Sequence, residues 1–146
     1  MKVIHSHWNS ASKTLFTEYK GELDVEDVRE WTESLQTALS KIPPGTLFKF
    51  LVDLSGFNPI DIKAHKAMRN IVPEILASHG MRPAFIDLFD EKPEMKITIN
   101  NGITCRAFAN VHHDKYKMED YQKRIGRADQ QFFTDLESAR EWLIRV

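Results

Sequence analysis

The stretch Phe48-Lys49-Phe50-Leu51-Val52-Asp53-Leu54-Ser55-Gly56 most limits what this chain can fold into. Five of its nine residues are large and apolar, and Pro43-Pro44-Gly45 marks a turn before it. Asp53, Ser55 and Gly56 stand where a strand gives way to a loop, so the stretch reads as a buried strand with a polar end. Such a strand needs neighbours on either side and helices to cover it, and the rest of the sequence supplies both.

Upstream, Lys2–Trp8 and Lys13–Lys20 read as two strands joined by the polar link Asn9-Ser10-Ala11-Ser12, a hairpin closed by Gly21. Asp24 then offers a helix N-cap, with Glu26 and Asp27 in the first turn, where carboxylates favour the positive end of the helix dipole. The stripe Val28, Trp31, Leu35, Ala38, Leu39 and Ile42 falls at steps of three and four and can cover a sheet.

Downstream of the buried strand, Asn58-Pro59-Ile60-Asp61 reads as a loop leading into a helix capped by Asp61. Ile60, Ala64, Ala67, Met68, Ile71, Val72, Ile75 and Leu76 keep the helical spacing up to Ser78-His79-Gly80. Pro73 lacks a donor amide and its ring crowds the preceding turn, so a kink or two abutting helices are expected. Pro83–Phe89 and Cys105–His112 read as strands. Between them Asp90–Pro93 is charged and turn-like, Met95–Ile99 alternates as an edge strand would, and Asn100-Asn101-Gly102 signals a tight turn, so a β-hairpin arm is expected. Met118, Tyr121 and Ile125 share a helix face that ends at Gly126; Gln130–Phe133 is a short strand. Thr134 and Glu137 have the spacing of a capping box opening a last helix, with Leu136, Ala139, Trp142, Leu143 and Val146 inward. Strands alternating with amphipathic helices imply an α/β fold: one domain over 1–146, with a mixed, mostly parallel sheet, about four helices and an inserted strand pair.

Composition narrows the function. A chain of 146 residues buries roughly 70% of its unfolded surface, enough for one sizeable core. Twenty Lys and Arg against 21 Asp and Glu leave a formal charge of −1, without the excess needed to neutralise a phosphate backbone, so no nucleic-acid partner is expected. The first residues lack the apolar core of a secretory signal, and no apolar run approaches the ~20 residues that span a bilayer. With a lone cysteine, Cys105, this points to a cytoplasmic protein that is not integral to the membrane. Glycines are scattered and no Gly-x-Ser-x-Gly is present, so neither a phosphate-cradling loop nor a nucleophile elbow is indicated; Cys105 reads as core and no cofactor is expected.

The order of elements, with particular residues, resembles the anti-sigma-factor-antagonist (STAS) fold and in particular its SpoIIAA-like branch, also described as STAS/SEC14-like. The residues that carry the resemblance are Leu51-Val52-Asp53-Leu54-Ser55-Gly56 with Asp61 after it, the strand Ala107–Val111 with its following helix, and Phe132-Phe133-Thr134-Asp135 leading to Ala139, Trp142 and Leu143. Where phosphorylated members carry an acceptor Ser after the Asp, this chain has Ile62 and Lys63. The resemblance therefore implies a non-catalytic regulatory or protein-interaction module without its phosphoswitch. Its SEC14 side implies, as an alternative, a carrier of a small apolar ligand with a pocket between a helix and the sheet. The stretch from about Arg82 to Thr104 is longer than the family's usual link.

Three groups of residues are candidates for a site. Asp53, Ser55, Asn58, Asp61 and His65 gather polar atoms at the carboxyl end of the best strand, where open α/β sheets bind ligands or partners; Ser55, Asn58 and Asp61 also suit ordinary turns and caps. His112, His113 and Asp114 close another strand and are the alternative, as metal ligands or an acid–base set in a small metal-dependent enzyme. His5 and His7, two apart on a strand, offer two imidazoles to a zinc ion that would need a third ligand from elsewhere. Homodimerisation is left open by all of these readings.

Overall fold

The computed structural model describes residues 2–88 and 95–146. The hairpin forms as β1 (Val3–Asn9) and β2 (Thr14–Leu23), antiparallel, with Val3 opposite Lys20. Alternation sorts the faces of β2 sharply: Leu15, Thr17 and Tyr19 are fully buried on one side, while Phe16, Glu18 and Lys20 are half-buried on the other. β2 does not stop at Gly21. It runs on to Leu23, and this extension pairs with β4 (Phe57–Pro59), a short strand that replaces the expected loop; Gly56, at φ +88°, makes the turn that brings the chain back beside it.

The opening stretch becomes β3 (Leu47–Leu54), parallel to β2 and to β5 (Thr104–His112), and β5 is parallel to β6 (Gln130–Phe133). The main path is β1-β2-β3-β5-β6, with β4 on the end of β2. From β2 onward each parallel crossover steps the same way across the sheet. Right-handed crossovers therefore place α1 (Val25–Leu39), α2 (Ile62–Met68), α3 (Ile71–Ala77) and α4 (Lys115–Ile125) on one face. Among the described residues, α5 (Leu136–Arg145) is the helix that covers the other face.

The two covers differ in bulk. On the four-helix face Tyr19, Trp31, Phe48, Phe50 and Phe108 lie in one large cluster, with Tyr19 stacked 4.5 Å from Trp31. On the other, Ala107 and Ala109 let α5 approach closely, and Ala139 and Leu143 pack against them and Leu51. The Trp31 indole donates to Thr17 Oγ1 at 2.7 Å, and Thr17 donates to the carbonyl of His5 at 3.2 Å, so one buried hydroxyl ties α1 to both strands of the hairpin.

Several elements differ from the sequence reading, each for a local reason. Asp24 and Asp27 cap α1 reciprocally, each carboxylate accepting the other's amide at 2.9 Å. The second covering helix is two helices, α2 and α3, and the break falls at Arg69–Asn70 instead of at Pro73. Pro73 is the third residue of α3, inside the first turn, where its missing N–H leaves no hydrogen bond unmade. Ile60 and Ala67, expected on the covering stripe, are exposed. Where the sequence predicts a strand over Pro83–Phe89, a 3-10 turn forms over Ala84–Leu88, and residue 89 lies outside the described residues. The fully buried side chain of Gln130 takes the backbone bonds there, accepting from Ala84 N and donating to Arg82 O, both at 2.7 Å.

Among the described residues Met95–Ile99 forms no strand where the sequence predicts an inserted pair, and makes a single bridge, His79 to Ile99; Asp90–Pro93 lies outside the described residues. The turn at Asn101-Gly102 is as expected, both at positive φ, with Ile103 N donating to Asn100 O at 3.0 Å. The cap of α5 is Asp135 and not Thr134, its carboxylate accepting from Ser138 N at 2.8 Å. Thr17→Val keeps the shape of the side chain but strips Trp31 of its acceptor; it should cost about 1–3 kcal/mol in urea unfolding, with an unchanged slope.

Candidate functional site

The five residues expected to form a site at the end of β3 are divided among several places. Asp53, 1% exposed, points to the α5 face, where its carboxylate pairs with Lys20 Nζ at 2.9 Å and accepts from Ser55 N at 3.0 Å and Ser55 Oγ at 2.6 Å. The hydrogen bond and charge of Asp53 hold the Lys20 ammonium above its ordinary pKa. Asn58 is exposed on β4, in an open depression shared with Lys2, Gly21 and Ile60. Asp61 caps α2, accepting from Ala64 N at 2.8 Å. His65, on the outer part of α2, alone turns towards an enclosed space.

That space is a cleft on the four-helix face, between α2–α3 and α4, above the carboxyl ends of β3 and β5. Its volume is about 160 Å³. The floor is apolar and nearly closed to solvent: Leu54, Phe57, Met68, Val72, Met118 and Phe132 are each between 2% and 8% exposed. The rim is polar, made by His65, Arg69, Asn110, His112, Lys117 and Tyr121. The position follows from the topology: β3 and β5 are adjacent parallel strands, α2 is reached from β3 through β4 and α4 follows β5, so both connections leave from the same end of the sheet, with a crevice between the helices.

The second candidate group contributes one of its members. His112 lines the cleft and accepts from Asp114 N through Nδ1 at 3.0 Å, which puts the proton of its neutral ring on Nε2. Burial, then the charges of Lys117 and His113, push its pKa down to about 4. The same causes, burial first and then Lys117 and Arg69, lower that of His65. His113 accepts from Gly56 N at 3.1 Å, tying the β3–β4 turn to the β5–α4 loop, and Asp114 caps α4 through Lys117 N at 3.0 Å. Each of the three thus has its own structural partner. Among the described residues no group of three or more His, Cys, Asp or Glu side chains is placed to hold a metal ion, at His112–Asp114 or at His5 and His7. His5 instead lies 3.6 Å from Glu18. Cys105 is core, its thiol pushed up to about 12 by burial.

Asn110, Lys117 and Tyr121 were not among the sequence candidates. Tyr121 had been placed on the inner face of its helix by periodicity, but nothing in the sequence joins it to Asn110 or to His65; the sheet register does that.

Comparison with solved structures gives the fold a relative. A protein of the DUF3478 family with a SpoIIAA-like fold, from Shewanella loihica PV-4, superposes with a TM-score of 0.52 over 97% of this chain and 93% of the other, at 16% sequence identity. The chain has a SpoIIAA-like fold. No protein-family model matches the sequence, and no curated protein does. No helix among the described residues is long and apolar enough to cross a membrane.

Two outcomes follow from the electrostatics. Lys20→Met leaves Asp53 buried without its cation and should cost about 3 kcal/mol in chemical unfolding, most of it recovered by adding Asp53→Leu. The folded His112 binds its proton more weakly than the unfolded chain does, so its contribution is complete above about pH 6.5 and is lost as the pH falls towards 4. Discounted for a half-exposed ring, the loss is about 1 kcal/mol, and His112→Gln should flatten that part of the stability–pH curve.

Proposed function

We propose that the chain is a non-catalytic, STAS-like binding module whose site is the cleft between α2–α3 and α4, and that it takes up a small apolar body there. The observation that carries the reading is the cleft itself: six apolar side chains form its floor, at the end of a parallel sheet where α/β folds bind ligands. Its size sets the scale of the ligand. An apolar cavity of about 150 Å³ takes up a single benzene ring, so about 160 Å³ suits one ring or a short branched chain and not a whole acyl chain. No acid–base or nucleophilic assignment is needed. His112 stays neutral, the Cys105 thiol is buried and protonated, and Ser55 is bonded to a carboxylate that is already paired with Lys20. A lone, buried cysteine suits a cytoplasmic setting.

A second reading, a docking surface for a protein partner, draws on exposed Ile60 and Ile62 at the start of α2 and Tyr116 at the start of α4, which are 57%, 71% and 84% accessible at the same end of the sheet. The two readings separate in one experiment. Titrating 15N-labelled protein with 2-phenylethanol should give saturable shifts at Met68, Val72, Met118 and Phe132. Val72→Trp, which fills the cleft, should abolish them, and Ile60→Ser/Ile62→Ser should leave them intact. Shifts that follow the isoleucines and ignore position 72 move the site to the surface, and an absence of saturable shifts removes the cleft reading.

A further inference from the structure

The rim of the cleft is more specific than its floor. Among the described residues that line it there is no Asp or Glu, whereas Arg69 and Lys117 bring basic side chains. Lys117 is half-buried on α4; among the described residues its ammonium pairs with no carboxylate and lies 5.6 Å from the centre of the Tyr121 ring. The other lysine of that turn differs: Lys115 reaches Glu119 at 3.9 Å on the outer face of the helix. Lys117 instead sits on the cleft rim, close enough for its charge to act on both His65 and His112.

The neutral groups of the rim are donors as well. His112 accepts through Nδ1, so Nε2–H is left to donate. Asn110 is half-buried on β5, and among the described residues its Nδ2 has as acceptor only the thioether of Met118, at 3.6 Å, which is a weak one. Tyr121 adds a hydroxyl. A half-buried amide donor served by a thioether, beside an ammonium without a carboxylate, leaves donor capacity that a negatively charged acceptor would satisfy best.

We propose that the cleft binds a small carboxylic acid as its anion, with the carboxylate held by Lys117, Asn110 Nδ2 and His112 Nε2 and a single ring or short branched chain on the floor between Met68, Val72 and Met118. The inference rests on the proposed role of the cleft and adds the charge of its ligand. A bare inorganic anion would leave the apolar floor unused, and a neutral alcohol would leave Lys117 without a counter-charge. Both therefore bind more weakly than the carboxylate.

Calorimetric titration of the full chain with phenylacetate, 2-phenylethanol and inorganic phosphate, each against wild type and Lys117→Gln, tests this. Phenylacetate should bind wild type at least tenfold more tightly than the alcohol, and Lys117→Gln should remove that advantage, so that the two ligands bind the variant alike. Lys117→Arg should restore at least part of it. Equal affinities for phenylacetate and the alcohol in wild type would overturn the anionic preference and leave the apolar cleft standing. Binding of neither would overturn both. Phosphate binding as tightly as phenylacetate, or a preference for phenylacetate that survives Lys117→Gln, would also overturn the proposal. Lys117 is half-buried at the rim of the cleft and is not part of the hydrophobic core, so the variants should melt with the wild type.

Discussion

Burial of β3 on both faces is the constraint from which the rest of the structure follows. Phe50 and Val52 face the four helices and Leu51 faces α5, all at 0–1% exposure, so neither face of the strand is left to water. Its neighbours β2 and β5 are both parallel to it, and parallel neighbours need crossovers that cover the sheet. Because β2, β3, β5 and β6 succeed one another in a single direction, the crossovers stack on one side, and the chain's last helix is left to cover the other. The imbalance shows in side-chain size: aromatic residues fill the wide four-helix layer, and alanines line the narrow one beneath α5.

The same geometry makes the cleft. The space between α2 and α4 is floored by Leu54 and Phe57 from one side, Met118 from the other and Phe132 from the sheet edge. The break between α2 and α3 lets the second covering layer bend around this opening, with Met68 and Val72 lining it from either side of the break. His113, accepting from Gly56, fastens the two loops at the mouth. A polar end on the central strand is thus not itself the site: Asp53 and Ser55 anchor the turn on the opposite face, and the cleft lies behind them.

The fold was legible in the sequence wherever a local pattern coincided with a tertiary role. The stripe from Val28 to Ala38 and the run Gln130–Phe133 each match an observed element. The sequence also carries, in Leu51–Gly56 and in Ala139 to Leu143, the resemblance to a SpoIIAA-like fold that the solved structure of a DUF3478 protein bears out. It was misleading where a side chain from far away takes over the backbone's bonds. Pro83–Phe89 has strand-like composition, but Gln130 supplies the bonds at residues 82 and 84, and a 3-10 turn results. Pro73 looked like a break and is an acceptable first-turn residue, because the discontinuity had already occurred at Asn70. The site was only partly legible for a related reason. His65 and His112 were each picked out within separate groups, but the cleft that unites them also draws on Asn110, Lys117 and Tyr121, and only the parallel register of β3 and β5 joins these segments.

If the cleft is the functional centre, its apolar floor must accept a guest with no polar handle at all. Diffraction from crystals pressurised with xenon reads this directly, since xenon enters apolar cavities of this size. The account predicts its strongest site within the cleft, in contact with Met68, Val72, Met118 and Phe132. Xenon bound only elsewhere, or not at all, would contradict it.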